Sequence, residues 1–475
     1  MSSNHSHEND SPQVSVGLYS DIRDSLKGKS RDFTSGSIPR AIIVLSVPMV
    51  LEMFMQSIFE VVDIFFVGKL GADAVAAVGL TASLIILIFA VGLGIAMAAT
   101  AMVARRIGEN DHEGAAKATA QAFWASIVTA IPVGIFALLV ADDLLSLMGA
   151  SSAVIEVGSG YTAILLGGNV TIILLFLFNA IFRGAGDPGL AMRALWLANI
   201  LNIILDPLFI FGIGPFPEMG TTGAAVATTI GRGIGVAYQI WMLLNGSSRV
   251  HVRLKHLRLD LDILKRLLRI SGPGILQYLV GTASWLAIMR LMSEFGSTSL
   301  AGYTIAIRVV IFALLPSWGI SNAAATMVGQ NLGAQKPERG ERAVWICTAL
   351  DALFLGILGA VFWFAAQPIL GIFSTDPEVV RVGVRCLRIL SPFFPIWAVG
   401  MVTVQAFNGA GDTKTPTWIN LFAYWVLQIP LAWAFAWPLG MGEDGIFWAI
   451  TAAQLALAIV AAIAFRRGKW KNVVV

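Results

Sequence analysis

Between residues 41 and 465 the chain passes through twelve apolar segments, each long enough to cross a bilayer as a helix of about 20 residues. They fall near 41–67, 74–104, 118–141, 154–180, 189–213, 221–244, 271–292, 300–328, 343–366, 379–404, 415–438 and 444–465. In hydrocarbon every backbone amide must find its partner within the segment, and these runs are too long for barrel strands. The expected class is therefore all-α, a polytopic membrane protein of twelve transmembrane helices. Composition agrees, with 57% hydrophobic and 13% charged residues where a soluble protein has about a quarter charged. The same numbers exclude disorder. Only Cys347 and Cys386 are present, both in apolar runs, so a disulfide scaffold is excluded.

Lysine and arginine orient the bundle. With the N-terminus inside, the tail holds five basic residues, the inner loops sixteen and the C-terminus four, which makes 25 of the 32. The outer side holds Lys69, Arg381, Arg385 and Arg388, and Arg232, Arg290 and Arg308 fall within helices. Both termini are expected in the cytoplasm. Residues 1–38 are expected to be a flexible tail, 249–270 a basic linker lying against anionic headgroups rather than a nucleic-acid patch, and 466–475 a second tail. His5 and His7 are too few and too near the terminus to argue for a metal site.

Shifting the sequence by 225 residues matches it to itself. Ser46 and Pro48 fall on Ser271 and Pro273, Gly94-Ile95 on Gly319-Ile320, Gly108 on Gly333, and Gly184-Ala185-Gly186-Asp187 on Gly409-Ala410-Gly411-Asp412. Each half then has six helices and both point the same way. Two lobes, 39–248 and 271–465, are expected about a pseudo-twofold axis along the membrane normal, with a cavity between them. The glycine-rich repeat lacks a phosphate-loop lysine pattern and a strand context, so an inner-loop turn is expected there.

Ionisable groups at membrane depth are costly and therefore informative. Glu52, Gln56, Glu60 and Asp63 recur at helical spacing in the first segment and share one polar stripe, as do Asn199, Asn202 and Asp206 in the fifth. Counting 1.5 Å per residue puts Asp63 and Asp206 both in the outer half, level with Tyr161 and Thr228. One hydrogen-bonded pocket in the N-terminal lobe is expected from these four. A desolvated pair of carboxyls can take up a proton or a cation, and its discharge could bend the first helix near Pro48. The plainer alternatives are an interfacial Asp63 paired with Lys69 and an Asp206 that serves the kink at Pro207. Glu52 is either a relay or an acid near the inner gate, Asp351 reads as a packed structural acid, and Arg232 as a partner for a cavity acid.

Val62-Asp63-Ile64-Phe65-Phe66-Val67-Gly68, the two Gly-Ala-Gly-Asp turns, Asn202-Ile203-Ile204-Leu205-Asp206-Pro207 and Met327-Val328-Gly329-Gln330-Asn331-Leu332-Gly333 together resemble the multidrug and toxic-compound extrusion (MATE) family, over about 40–465. The resemblance is to its DNA-damage-inducible-like and archaeal-type branch. It implies ion-driven efflux of amphipathic, often cationic, compounds by alternating access, from a bacterial inner membrane. It implies Asp63 and Asp206 as coupling acids with Tyr161, Asn202 and Thr228 beside them, and Gln56 and Asn179 on the drug cavity, which Glu52 and Arg232 would share. A coupling sodium would sit at Asp63, Asp206, Asn202 and Thr228; proton or sodium stays open. No cofactor, no catalytic residue, no nucleic acid and a monomer are expected. Stretches near Gly281 and Trp397 lack the acids of the other bacterial branch, and Arg232 has no counterpart in the pattern. The alternative is a lipid-linked oligosaccharide flippase of the same superfamily, which calls for a strongly cationic cavity where this chain offers Arg232, Arg290 and Arg308. A membrane enzyme is disfavoured because all five histidines lie in the tail or inner loops.

Overall fold

The computed structural model describes residues 17–28 and 32–475, and all regular structure among them is helical. After α1 (Leu18–Leu26) come α2 (Ile38–Gly68), α3 (Ala72–Gly108), α4 (His112–Leu139), α5 (Ala141–Leu147), α6 (Ser152–Gly167), α7 (Asn169–Ala185), α8 (Pro188–Phe211) and α9 (Gly220–Leu244). The second half holds α10 (Leu261–Ser293), α11 (Ser297–Gly333), α12 (Pro337–Phe373), α13 (Pro377–Leu390), α14 (Phe394–Ala410), α15 (Lys414–Leu421), α16 (Ile429–Ala436) and α17 (Glu443–Arg466). By length and apolarity ten stretches qualify as spans, with α13–α14 and α15–α16 each counting as one. The pair α6–α7, bent by 43°, adds an eleventh. The glycine- and threonine-rich α9 completes a twelve-helix fold by packing against α8, α6 and α7.

The duplication is written into the backbone. Gly71 and Gly296, 225 residues apart, open α3 and α11 at φ of +105° and +94°. Gly186 and Gly411 close α7 and α14 at +87° and +86°, a left-handed end that glycine adopts without strain. Outside glycine, only Asn110 and Gln335 among the described residues have positive φ, 58° and 57°, and they are also 225 apart.

The lobes exchange their first helices at the face where the chain's ends lie. The first half of α2 (Ala41, Ile42, Leu45, Met49) is buried in one core with Ala324, Met327 and Val328 of α11 and Val344 and Cys347 of α12. Reciprocally, Leu267 and Ile270 of α10 belong to the core that α3, α4, α7 and α8 build. The interface is narrow enough to require glycine. A methyl on Gly94 would stand 2.8 Å from the backbone nitrogen of Ile275, and one on Gly319 would stand 2.8 Å from that of Val50. Ile275 and Val50 are themselves 225 apart.

Several expectations change. Within the described part of the tail, α1 packs on α2 and α8, with Asp21 fully buried against Arg40; His5 and His7 lie outside the described residues. The linker is shorter than 249–270, because Asp260 caps α10 and the helix begins at Leu261. What remains of it is anchored to α4, where Trp124 Nε1 donates to the carbonyl of Leu257 at 2.9 Å and Gln121 Nε2 to that of Arg258 at 2.9 Å. The last ten residues are no free tail either: Trp470 is fully buried and stacks on Phe465 at 4.7 Å between centroids. Arg290, expected in the interior, is 72% exposed and pairs with Glu294 one turn on, and Arg308 is exposed. Both lie on helix faces that residue spacing alone does not assign.

Candidate functional site

α8 carries the centre of the site. Asn199, Asn202 and Asp206 occupy one buried face, and Asp206 is fully shielded from solvent. Gly231 of α9 makes the close approach: a methyl there would meet the carbonyl oxygen of Ala198 at 2.6 Å. That lets Thr228 reach α8. Asn202 Nδ2 donates to Thr228 Oγ1 at 2.9 Å and to Asp206 Oδ1 at 3.2 Å. Asn202 Oδ1 and Asp206 Oδ2 are buried without a donor among the described residues. Buried acceptors are rarely left so, and a proton, a cation or an ordered water would each satisfy them.

Asp63 on α2 and the buried Tyr161 on α6 face the same volume, and each acts electrostatically on the others and on Asp206. The expected hydrogen-bonded four-residue pocket is therefore corrected in part. Asn202 links Asp206 to Thr228, whereas Asp63 and Tyr161 stand within Coulombic reach without a hydrogen bond among the described residues. Lys69 is not the partner of Asp63; its Nζ lies over the Phe65 ring, 4.5 Å from the centroid. Arg232, one turn after Thr228, stands 5.9 Å from the Phe59 centroid, near Glu60 and Asp63. No group of three His, Cys, Asp or Glu side chains among the described residues is arranged to hold a metal.

The residues expected on a substrate cavity separate into two groups. Gln56 is half-buried, donating to Glu60 at 3.2 Å and accepting from Asn199 at 3.4 Å, and Glu60 is exposed. Glu52 and Asn179, by contrast, are 1% exposed and line no open surface. Glu52 Oε1 accepts from Arg183 Nη1 at 2.7 Å and from Asn179 Nδ2 at 3.0 Å, and Asn179 Oδ1 accepts from Gln239 at 2.6 Å. Arg183 is one of the sixteen basic residues assigned to the inner loops, and its ion pair with Glu52 is not among the expectations from sequence. Its spacing from Asn179, one helical turn, puts both on one face of α7 but does not point to Glu52. The carbonyls of Arg183 and Gly184 in turn accept from Thr326 at 3.0 Å and Gln330 at 2.9 Å, across the lobe boundary. Asp351 is fully buried and accepts from Ser317 at 2.7 Å.

Two helix-rich repeats of this kind have relatives. The family model described as MatE matches residues 48–208 and again 273–434, which is both halves of the duplication and more than half of the chain. The chain belongs to the MatE family. Among similar proteins of this transporter family, the probable multidrug resistance protein NorM of Thermotoga maritima is 27% identical over 439 residues, covering 92% of this chain and 94% of the relative. The FAD transporter of Shewanella oneidensis is 26% identical over 416 residues, covering 87% and 90%. A solved MOP superfamily transporter from Pyrococcus furiosus, described as having a binding pocket of reverse polarity, superposes with a TM-score of 0.87 at 26% identity, over 94% of this chain and all of that one. This MatE chain is thus a multi-pass membrane protein of a transporter family.

Proposed function

We propose that the protein is a secondary active exporter that exchanges amphipathic, often cationic, small molecules for protons or sodium ions, with Asp63 and Asp206 as the coupling acids. The observation that carries this is Asp206: a fully buried carboxyl with one oxygen lacking a donor among the described residues, within electrostatic reach of Asp63 and tied through Asn202 to Thr228. An uncompensated buried carboxylate is costly. Uptake of a cation stabilises the closed pocket, and release of the cation opens it, which gives two states with different shapes. Alternating access is supported by the interface, whose close approaches at Gly94, Gly319, Gly108 and Gly333 cluster between mid-membrane and the face that holds the ends. The excess of basic residues on that face supports a cytoplasmic location for it, in a bacterial inner membrane. We take the working unit to be a monomer, because the duplication already supplies both lobes.

The test is exchange of a fluorescent organic cation in proteoliposomes under a pH or a sodium gradient imposed separately. Asp63→Asn and Asp206→Asn should each abolish the gradient-driven component. Retention of that component in both variants would overturn the assignment.

A further inference from the structure

Breaks in two neighbouring helices leave a groove on the outside of the second lobe. α12 loses helical geometry at Ala365 (φ −102°, ψ 16°), just before Pro368, and α13 gives way at Ser391–Phe393 to a tighter turn before α14 begins. The two elements still touch where a methyl on Gly359 would collide with the Ser391 carbonyl oxygen. Beside that contact lies a cavity of about 390 Å³, walled by Gly356, Trp363 and Phe364 of α12 and by Ser391 and Pro395 opposite. It runs along an apolar stripe, because Leu353, Ile357, Val361 and Phe364 recur at helical spacing on α12 and all are exposed. An exposed apolar stripe on a spanning helix faces acyl chains. One charge stands over the groove. Arg381, Arg385 and Arg388 share a stripe of α13 that continues to Pro392 and Pro395. Arg381 pairs with Glu378, and Arg385 with Glu443 and Asp444. Arg388, exposed and one turn before Pro392, meets no acid among the described residues. Counting from Pro377 at 1.5 Å per residue puts it about 16 Å into the span. A cation at that depth on a lipid-facing surface calls for an anion beside it.

We propose that this groove is a site for one anionic phospholipid, with the headgroup phosphate on Arg388 and an acyl chain lying along Gly356 and Gly359. The order of the groups is that of a lipid in the leaflet away from the chain's ends. α12 starts at the face where Glu341 pairs with Lys471 of the C-terminal segment, so Gly356 lies deeper in the bilayer and Trp363 and Phe364 nearer the opposite surface. Arg388 precedes Ser391 and Pro395 on the descending helix, so the charge sits at the same end as Trp363, a residue suited to the headgroup boundary. Only small residues, Gly356, Gly359 and Ala360, line the deeper stretch of α12, which leaves room for a chain. A transported compound or a second protein copy would not need the one charge to lie at the end nearer the membrane surface, whereas a phospholipid does. The site is separate from the aspartates of the first lobe and does not rest on their role.

Phosphatidylglycerol with brominated acyl chains is titrated into the full chain in detergent, in parallel with brominated phosphatidylcholine, and tryptophan fluorescence is read. Bromine quenches an indole only near contact. The chain has 14 tryptophans, so the groove's share is the saturable quenching that Trp363→Phe removes. That share should saturate at a concentration about 5-fold lower for phosphatidylglycerol than for phosphatidylcholine, the effect of one well-placed base. Arg388→Gln should erase the difference and Arg388→Lys should keep it. Arg381→Gln, which removes a base already paired with Glu378, should leave it unchanged. Ala360→Phe fills the groove from an exposed position and should remove the Trp363 share for both lipids. All four positions are exposed, so the variants should unfold at the wild-type temperature. Equal affinity of the wild type for the two lipids overturns the inference. So does a wild-type preference in Arg388→Gln, or a Trp363 share that survives Ala360→Phe.

Discussion

Replacing Gly94 by alanine should open the molecule at the face that carries its ends. In an ordinary helix the change is stabilising by up to about 1 kcal/mol, because alanine is the better helix former. Here the new methyl would lie 2.8 Å from the nitrogen of Ile275 and 2.9 Å from the carbonyl oxygen of Ser271, both backbone atoms of α10. Ordinary contact begins at 3.4 Å, so α3 and α10 must part by about 0.6 Å. Overpacking of this kind costs about 1–3 kcal/mol, and it is paid only in the state where the lobes touch. A bias of that size shifts the balance between closed and open interfaces by roughly 5- to 150-fold. Spin labels on Lys117 and Glu338, exposed within the first two turns of α4 and α12, report the gap by double electron–electron resonance; Cys347 and Cys386 are fully buried and stay unlabelled. Gly319→Ala should give the same shift, because its methyl meets Val50 at the same 2.8 Å from the other side of the pseudo-twofold axis. The two changes together should fall short of additive, since they strain one interface. Gly281→Ala, with nothing within 4 Å of its methyl, should leave the distance unchanged. An unshifted distance distribution in both Gly94→Ala and Gly319→Ala would refute the reasoning.

Other substitutions test the supports of the site. Burial holds the Asp187 carboxyl up to about 6, against the opposing pull of hydrogen bonds from Ser248 and the Arg249 amide. The folded chain then binds a proton more readily than the unfolded one, so thermal stability in detergent should fall as pH rises from about 4 to about 6 and level off above, by up to about 3 kcal/mol. Asp187→Asn should flatten that dependence. Arg183→Met strands the Glu52 carboxylate and should cost about 3–5 kcal/mol in thermal unfolding, whereas Glu52→Leu with Arg183→Met should recover most of the loss. Trp470→Ala removes a fully buried ring stacked on Phe465 and should destabilise by about 3–5 kcal/mol, despite lying outside every span.

The fold was legible because membrane helices announce themselves by length and the duplication by register: Gly94 and Gly319 stand 225 apart in sequence and occupy equivalent positions in space. The polar face of α8 was legible for the same reason, as helical spacing put Asn199, Asn202 and Asp206 together. What escaped was the direction of single side chains. Arg290 and Arg308 lie within helices, yet which face of a helix meets lipid, neighbour or cavity depends on packing between elements. Glu52 and Arg183 are 131 residues apart, and no local spacing connects them. The short α1 has a polar sequence, and what ties it down is Asp21 meeting Arg40 and Ser25 donating to the Val44 carbonyl, which composition does not reveal.

The exchange of α2 and α10 between the lobes bears on how such a chain matures. The first six spans alone leave open, at the face of the swap, the place that Leu267 and Ile270 of α10 fill. That dependence holds during synthesis, so the first six spans leave the ribosome with an unfinished interior until the seventh is threaded into the membrane.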